Sequence, residues 1–223
     1  MLIPGFSTGD WAVSTLNRWL ARIGYRPYLS GIDLNVGCPN VKFERLEWRL
    51  EQISAECGAP VVLIGHSLGG VLARSLATAL PGYVRHAITL GSPMRIEWNA
   101  IQSGARPAFR AIQALWSTVS DMPRDCGTGN CACRFTTVLA NILDCEGRLS
   151  SIYTRADEVV DWQACVDGNA ANYEVKGRHL SLVVNRDVYR LLASILAELM
   201  AAQLNGRSDN GQNDGVAPLK ARA

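Results

Sequence analysis

The sequence has no hydrophobic run approaching the ~18 residues that a membrane-spanning helix requires. It also lacks a charge bias. In 223 residues, 22 Lys and Arg face 20 Asp and Glu, a net charge of +2. Such a balance makes no field that would gather nucleic acid. Histidine is scarce, with three in the chain, so few side chains can serve as a base near neutral pH. Seven cysteines are too dilute for a disulfide scaffold, and the odd count leaves at least one thiol free or paired outside the chain. What is present is an ordinary globular composition, 48% hydrophobic. A chain of this length buries roughly 70% of its unfolded surface in one large domain without metal or disulfide support. Met1 to Phe6 lack the charged start, apolar centre and small-residue cleavage site of a signal peptide, so the default expectation is the cytoplasm. They read instead as the end of a buried strand. A strand so short predicts a gene product that begins further upstream, where any export signal would stand.

Strands and helices then alternate. Trp11, Leu16, Trp19, Leu20 and Ile23 recur at helical spacing up to Gly24, Tyr25 to Leu34 is extended, and Asn35 to Asn40 is loop. A helix is predicted from about Phe43 to Glu56, followed by Val61–Ile64, an unbroken apolar run that suits a strand buried on both faces. Val71 to Leu80 is helical in composition, and His86 to Leu90 is the next strand. This spacing indicates βαβ units and a mostly parallel central sheet with helices on both faces. The pattern breaks between about residues 95 and 136, where an amphipathic helix (Ile101, Phe109, Ile112, Leu115, Trp116, Val119) and a Cys/Gly segment read as an insertion over the end of the sheet. It resumes with strands at Ser151–Thr154 and Tyr173–Val175 and a closing helix from about Arg186 to Leu204. Residues 1–204 are thus expected to form one domain. Asn205 to Ala223, rich in Gly, Asn, Asp and Ser, is expected to be disordered.

Gly65-His-Ser-Leu-Gly69 fits G-x-S-x-G between a predicted strand and a predicted helix. The turn is so tight that the positions two before and two after the serine have no room for side chains. Ser67 is therefore expected in a strained conformation with its hydroxyl above the sheet, and the Leu68 amide sits where unpaired helix N–H groups favour negative charge. A serine hydroxyl needs a neighbouring base. His66 should point away from the turn as a packing or wall residue, and His86, at the start of a strand, reads as a structural histidine. His179 follows a plausible acid in the order Ser…Asp…His and is the expected base. The acid is Asp157 or Asp161, each after a strand, and each could otherwise be a turn former. The Phe6 amide, in the turn after the first strand, is the expected second oxyanion donor beside Leu68.

These segments together resemble the α/β-hydrolase superfamily, in particular its small bacterial lipase and esterase branch, which includes the minimal Bacillus lipases. The matching residues are Ile3-Pro-Gly-Phe6, Ile64-Gly-His-Ser-Leu-Gly-Gly70, Thr89-Leu-Gly-Ser-Pro93, Tyr153-Thr-Arg-Ala-Asp157-Glu-Val-Val160 and Arg178-His179-Leu. Outside the resemblance lie the insertion and the tail. The resemblance favours Asp157 as the acid, because it precedes one residue and then an apolar pair. It implies carboxylic ester hydrolysis through an acyl-enzyme, with Ser67, His179 and Asp157 as the triad and no cofactor. The same machinery would serve an acyltransferase, a lactonase or a thioesterase, and a non-catalytic binding protein could use the same fold. Two departures bear on substrate: Pro4-Gly5 replaces the family's His-Gly, and Ser92-Pro93-Met94 replaces Thr-Pro-His.

Around the triad, His66, Met94, Trp98, Phe109 and Trp116 are candidate substrate contacts. The insertion is expected either to line an acyl-chain pocket, or lid it at a lipid surface, or to pack permanently on the core. Cys126, Cys131, Cys133 and Cys145 suggest disulfides or free thiols more than zinc, because Cys131-Ala-Cys133 is tighter than a C-x₂-C knuckle and no histidine lies nearby.

Overall fold

The computed structural model describes residues 1–94, 98–119, 133–140 and 147–210. By its internal contacts the chain divides into two units after Asn185. The first unit is built on a five-stranded sheet in the order β1 (Leu2–Ile3), β2 (Val61–His66), β3 (Val84–Leu90), β4 (Leu149–Tyr153) and β5 (Ala171–Glu174). Every neighbouring pair is parallel. Ile3 pairs with Gly65, His66 with Leu90, Leu90 with Ile152, and Tyr153 with Glu174. Because all five strands point the same way, their carboxyl ends and the loops that follow them share one edge, where α/β sheets place ligands. Leu29 adds an isolated parallel bridge to Leu2, and the Leu2 amide donates to Tyr28 O at 2.8 Å.

The helices of this unit are α1 (Ser14–Arg22), α2 (Pro39–Cys57), α3 (Leu68–Ala79), α4 (Arg106–Val119) and α5 (Arg134–Ala140). α2, α3 and α5 touch one another, and α3 packs on β1, β2 and β3. Phe43, Leu46, Leu50 and Ile53 of α2, the helical spacing read from the sequence, are fully buried with Leu63, Leu72 and Leu76. Phe135 of α5 meets Phe43 at a ring separation of 5.7 Å. α2 begins at Pro39, earlier than expected, because proline at the first helical position loses no hydrogen bond and its ring presets the backbone angle. It ends at Gly58, in the left-handed region at φ 62°. α3 begins at Leu68, directly after the serine, three residues ahead of the expectation.

The insertion is tied down at both ends of its described parts. Ile101, expected in its helix, instead forms a bridge with Val160. The Gln102 amide donates to Val159 O and the Asp161 amide to Ala100 O, both at 2.8 Å. At the far end Arg134 pairs with Glu47 at 2.5 Å, and the Phe135 amide donates to Asn40 Oδ1 at 3.0 Å. In the second unit the described element is α6 (Arg186–Asn210). The expectation of disorder from Asn205 is corrected for residues 205–210, which continue the helix, since extending a formed helix costs far less than nucleating one. Residues 211–223 lie outside the described part. Among the described residues no helix is long and apolar enough to cross a membrane.

Arg74 is a buried charge that holds the site edge together. From α3, its Nη1 donates to Met94 O at 2.5 Å and its Nη2 pairs with Asp167 Oδ2 at 2.8 Å. It thus ties the helix after the serine to the chain leaving β3 and to the loop before β5. The side chains of the pair are 9% and 17% exposed. Arg74→Ala should cost about 3–5 kcal/mol in urea unfolding, because it leaves Asp167 without its partner. Arg74→Lys should recover only part of this, since one ammonium cannot reproduce the forked geometry; equal stability of wild type and Arg74→Ala would refute the role.

Candidate active site

Ser67 is the single residue between β2 and α3 and sits at φ 52°, ψ −122°, one of two non-glycine residues with positive φ among those described. The glycines around it show what holds that strain in place. A Cβ on Gly65 would lie 2.2 Å from Gly69 O, one on Gly69 2.3 Å from Ile3 O, and one on Gly70 2.0 Å from Ser92 Oγ. Main chain packs on main chain at all but the last of these, so no side chain could yield. The Ser67 amide donates to Leu90 O at 2.9 Å, fastening the turn to β3.

The candidate acid Asp157 and the candidate base His179 lie side by side. His179 Nδ1 lies 2.7 Å from Asp157 Oδ2, with both side chains almost wholly buried. Asp157 Oδ1 accepts from the amides of Val159 at 2.9 Å and Val160 at 2.8 Å, so the apolar pair in the sequence supplies the donors that aim the carboxylate. A carboxylate on Nδ1 fixes the proton there and leaves Nε2 as the acceptor. Gly91 at φ 57° passes over this pair: a Cβ there would lie 3.1 Å from Asp157 Oδ2 and 3.2 Å from His179 Nδ1. Asp161, the other candidate acid, instead caps a short 3₁₀ turn by accepting from the Gln163 amide at 3.0 Å. Among the described residues no hydrogen bond joins Ser67 Oγ to the His179 ring; contacts of this kind are commonly long in unliganded sites and tighten on ligand binding.

The Phe6 turn adjoins the serine. A Cβ on Gly5 would lie 3.2 Å from Ser67 Cβ and 2.9 Å from His66 Nδ1. Asn35, 1% exposed, holds the turn open: its Nδ2 donates to Pro4 O at 2.9 Å, its main chain accepts from Ser7 N, and its amide donates to Thr8 O. Sequence reasoning missed Asn35, assigned to a loop, because only the folded chain brings it to Pro4.

The remaining candidates separate. Phe109 of α4 stacks on Phe6, with ring centroids 4.9 Å apart and planes 13° from parallel. Leu68, first residue of α3, is half-buried. Met94 is a correction to the expected substrate contact in one respect: it is 7% exposed, packs in the hydrophobic core and gives its carbonyl to Arg74. It also borders a cleft of about 530 Å³ with Asn99, Asp161, Gln163 and Asp167, a cleft lined by none of the triad candidates. His66, expected as a wall residue, is buried and bonds through Nε2 to His179 O at 3.0 Å. The side chains of Trp98 and Trp116 lie outside the described residues, as do Cys126, Cys131 and Cys145. Cys38, Cys57 and Cys165 carry free thiols. No cluster among the described residues could hold a metal ion.

With fold and geometry in place, the chain can be set beside known proteins. The model of the PGAP1-like alpha/beta domain family matches residues 50–144. A triacylglycerol lipase of Pseudarthrobacter phenanthrenivorans is 33% identical over 105 residues, 43% of this chain and 33% of that protein. One of Burkholderia plantarii is likewise 33% identical, over 43% of this chain and 29% of its own length. The chain therefore spans about a third of the length of the curated relatives it matches. Among solved structures, the mature form of Bacillus licheniformis lipase BlEst2 superposes with a TM-score of 0.62 at 16% identity, covering 87% of this chain and 90% of the other. The fold is the α/β-hydrolase fold. The two relatives and this structural neighbour are named as lipases.

The other two histidines make a pH-dependent stability. Burial, then the neighbouring His179, lowers the pKa of His66 to about 4, and burial with Arg85 and Arg148 does the same for His86. His86 lies at the far end of β3, its Nε2 2.9 Å from Ser150 Oγ and its Nδ1 without a partner, so the structural role expected of it is only half satisfied by hydrogen bonds. Both stay neutral in the fold below pH 6.5, where unfolded histidine takes up a proton. The unfolded chain then binds more protons, and stability falls as pH drops from about 6.5 to about 4. The loss should be on the order of 2–3 kcal/mol for each histidine by urea unfolding, and His86→Gln should remove roughly half of it. A flat profile across that window would contradict neutral burial.

Proposed function

We propose that the chain is a serine hydrolase that cleaves carboxylic esters through an acyl-enzyme. The observation that carries this reading is the buried Asp157–His179 hydrogen bond on the same sheet edge as a strained Ser67. Ser67 Oγ attacks the ester carbonyl while His179 Nε2 takes its proton. Asp157, aimed by the Val159 and Val160 amides, stabilises the imidazolium that forms. The carbonyl oxygen, now negative, is met by the amides of Phe6 and Leu68. Collapse of the intermediate expels the alcohol, which takes the proton from Nε2. Water then attacks the acyl-enzyme by the same route, releasing the acid and restoring Ser67. The lipase names of the relatives support an ester substrate. Ser67→Ala should lower turnover of a p-nitrophenyl ester by ~10⁴-fold or more, and a fluorophosphonate probe should label wild type and not the variant. Near wild-type turnover by Ser67→Ala would end the assignment.

The substrate reading extends to α4. Phe109 lies on Phe6, whose amide is the proposed oxyanion donor, and Leu115 of the same helix is 63% exposed. An acyl chain entering beside Phe6 would displace or line up along Phe109, and the exposed face of α4 would meet the lipid surface. Rate measured against tributyrin should jump as the concentration passes its solubility limit. Smooth saturation through that limit would make α4 a fixed wall.

A further inference from the structure

The main chain of the proposed base is gripped on both sides. The His179 amide donates to Glu158 Oε2 at 3.2 Å, and its carbonyl lies 3.0 Å from His66 Nε2. A carbonyl can only accept, so His66 must carry its proton on Nε2. The ring is boxed in: its centroid is 4.8 Å from that of His179, and its Nδ1 faces Gly5, where a Cβ would come within 2.9 Å. His66 also immediately precedes Ser67. One buried hydrogen bond therefore links the peptide segment that carries the nucleophile to the residue that carries the base. Nothing else among the described contacts joins those two segments so directly.

We propose that His66 is a positioning residue, whose Nε2–H···O bond to His179 sets the separation of nucleophile and base; this rests on the triad reading above. Catalysis of this kind tolerates little error in placement, since a shift of about 1 Å can cost about 100-fold. The Asp157 bond fixes how the His179 ring is turned but does not fix how far the His179 peptide stands from the turn at Ser67. The His66 bond supplies that second constraint. The role also needs an uncharged ring, because a cation here would oppose the imidazolium that His179 must become. Burial keeps His66 neutral above about pH 4, well below the working range of a histidine base. Glu158 grips the amide side, but its side chain is exposed, so water competes for that bond and its share is smaller.

The test is the rate of fluorophosphonate labelling, which reads activation of Ser67 without an ester substrate, together with kcat and KM. Glutamine places an amide N–H where His66 Nε2 stands, asparagine keeps the polarity but falls short of the carbonyl, and leucine fills the space without a donor. His66→Leu and His66→Asn should label roughly 10- to 100-fold more slowly with kcat reduced and KM little changed, while His66→Gln recovers most of the rate. Glu158→Ala should slow labelling by no more than about 3-fold. If His66→Leu does not fold, the Asn and Gln pair, both polar, decides the matter. Equal labelling by the Asn and Gln variants, or wild-type labelling by His66→Leu, overturns the positioning role and leaves the triad standing. A wild-type chain that does not label overturns both.

Discussion

The close approach of main chain at Gly65 and Gly69 is the constraint from which the rest of the site follows. Strand β2 must turn into α3 within one residue, and the carbonyls of Ile3, Pro4 and Gly69 stand where side chains would otherwise be. That crowding holds Ser67 at positive φ, a conformation that would relax in any looser turn. It also brings the end of β1, and with it the Phe6 turn, against Ser67. The strained serine and the turn beside it are thus two results of one steric fact. Arg74 and the Ser67 amide then keep the neighbouring strand ends from drifting, since each bridges to the chain at the end of β3.

A second level of order is electrostatic. Three ionisable side chains, Asp157, His179 and His66, are packed together with almost no solvent. Such a cluster would be costly if each were charged. The structure avoids that cost by division of roles. Asp157 receives two backbone N–H donors as well as the imidazole, which stabilises the carboxylate without further cations. His66 is neutral and spends its one donor on a carbonyl. Of the two rings, the His179 Nε2 is the one nitrogen that the hydrogen bonds leave facing neither a carbonyl nor a carboxylate and not packed on Gly5.

What could be read from the sequence was what local rules govern. The buried strand Val61–His66 and the glycines of the turn depend on residues near one another in the chain, so the pattern carried them, whereas Ser67, Asp157 and His179 were marked by their order along the chain and by the family resemblance. The residues alone left Asp157 and Asp161 open and the resemblance favoured Asp157; in the fold the amides of the apolar pair donate to Asp157, while Asp161 caps a 3₁₀ turn. Asn35, Gly91, Glu158 and Arg74 were not legible. Each acts on a residue that only the folded sheet brings near, such as Asn35 on Pro4, 31 positions away, or Arg74 on Asp167, 93 positions away. His66, read from the sequence as a packing or wall residue, is buried, but its bond to the His179 carbonyl, 113 positions away, was not legible for the same reason.

The insertion follows from the same edge geometry. Its start is fastened to the acid turn through Ile101 and Val160, and α5 is fastened to α2 through Arg134 and Phe135. Neither anchor lies on α4, where Phe109 stacks on Phe6. A stacked aromatic pair contributes only about 0.5–1.5 kcal/mol beyond its buried area. The anchors thus hold the ends of the insertion against residues of the acid turn and of α2. The acid turn meanwhile serves two neighbours at once: Asp157 faces the base and Val159 and Val160 hold the insertion. Movement of the insertion's first anchor would disturb the donors that aim the carboxylate, so the bridge at Ile101 and the orientation of Asp157 depend on one another.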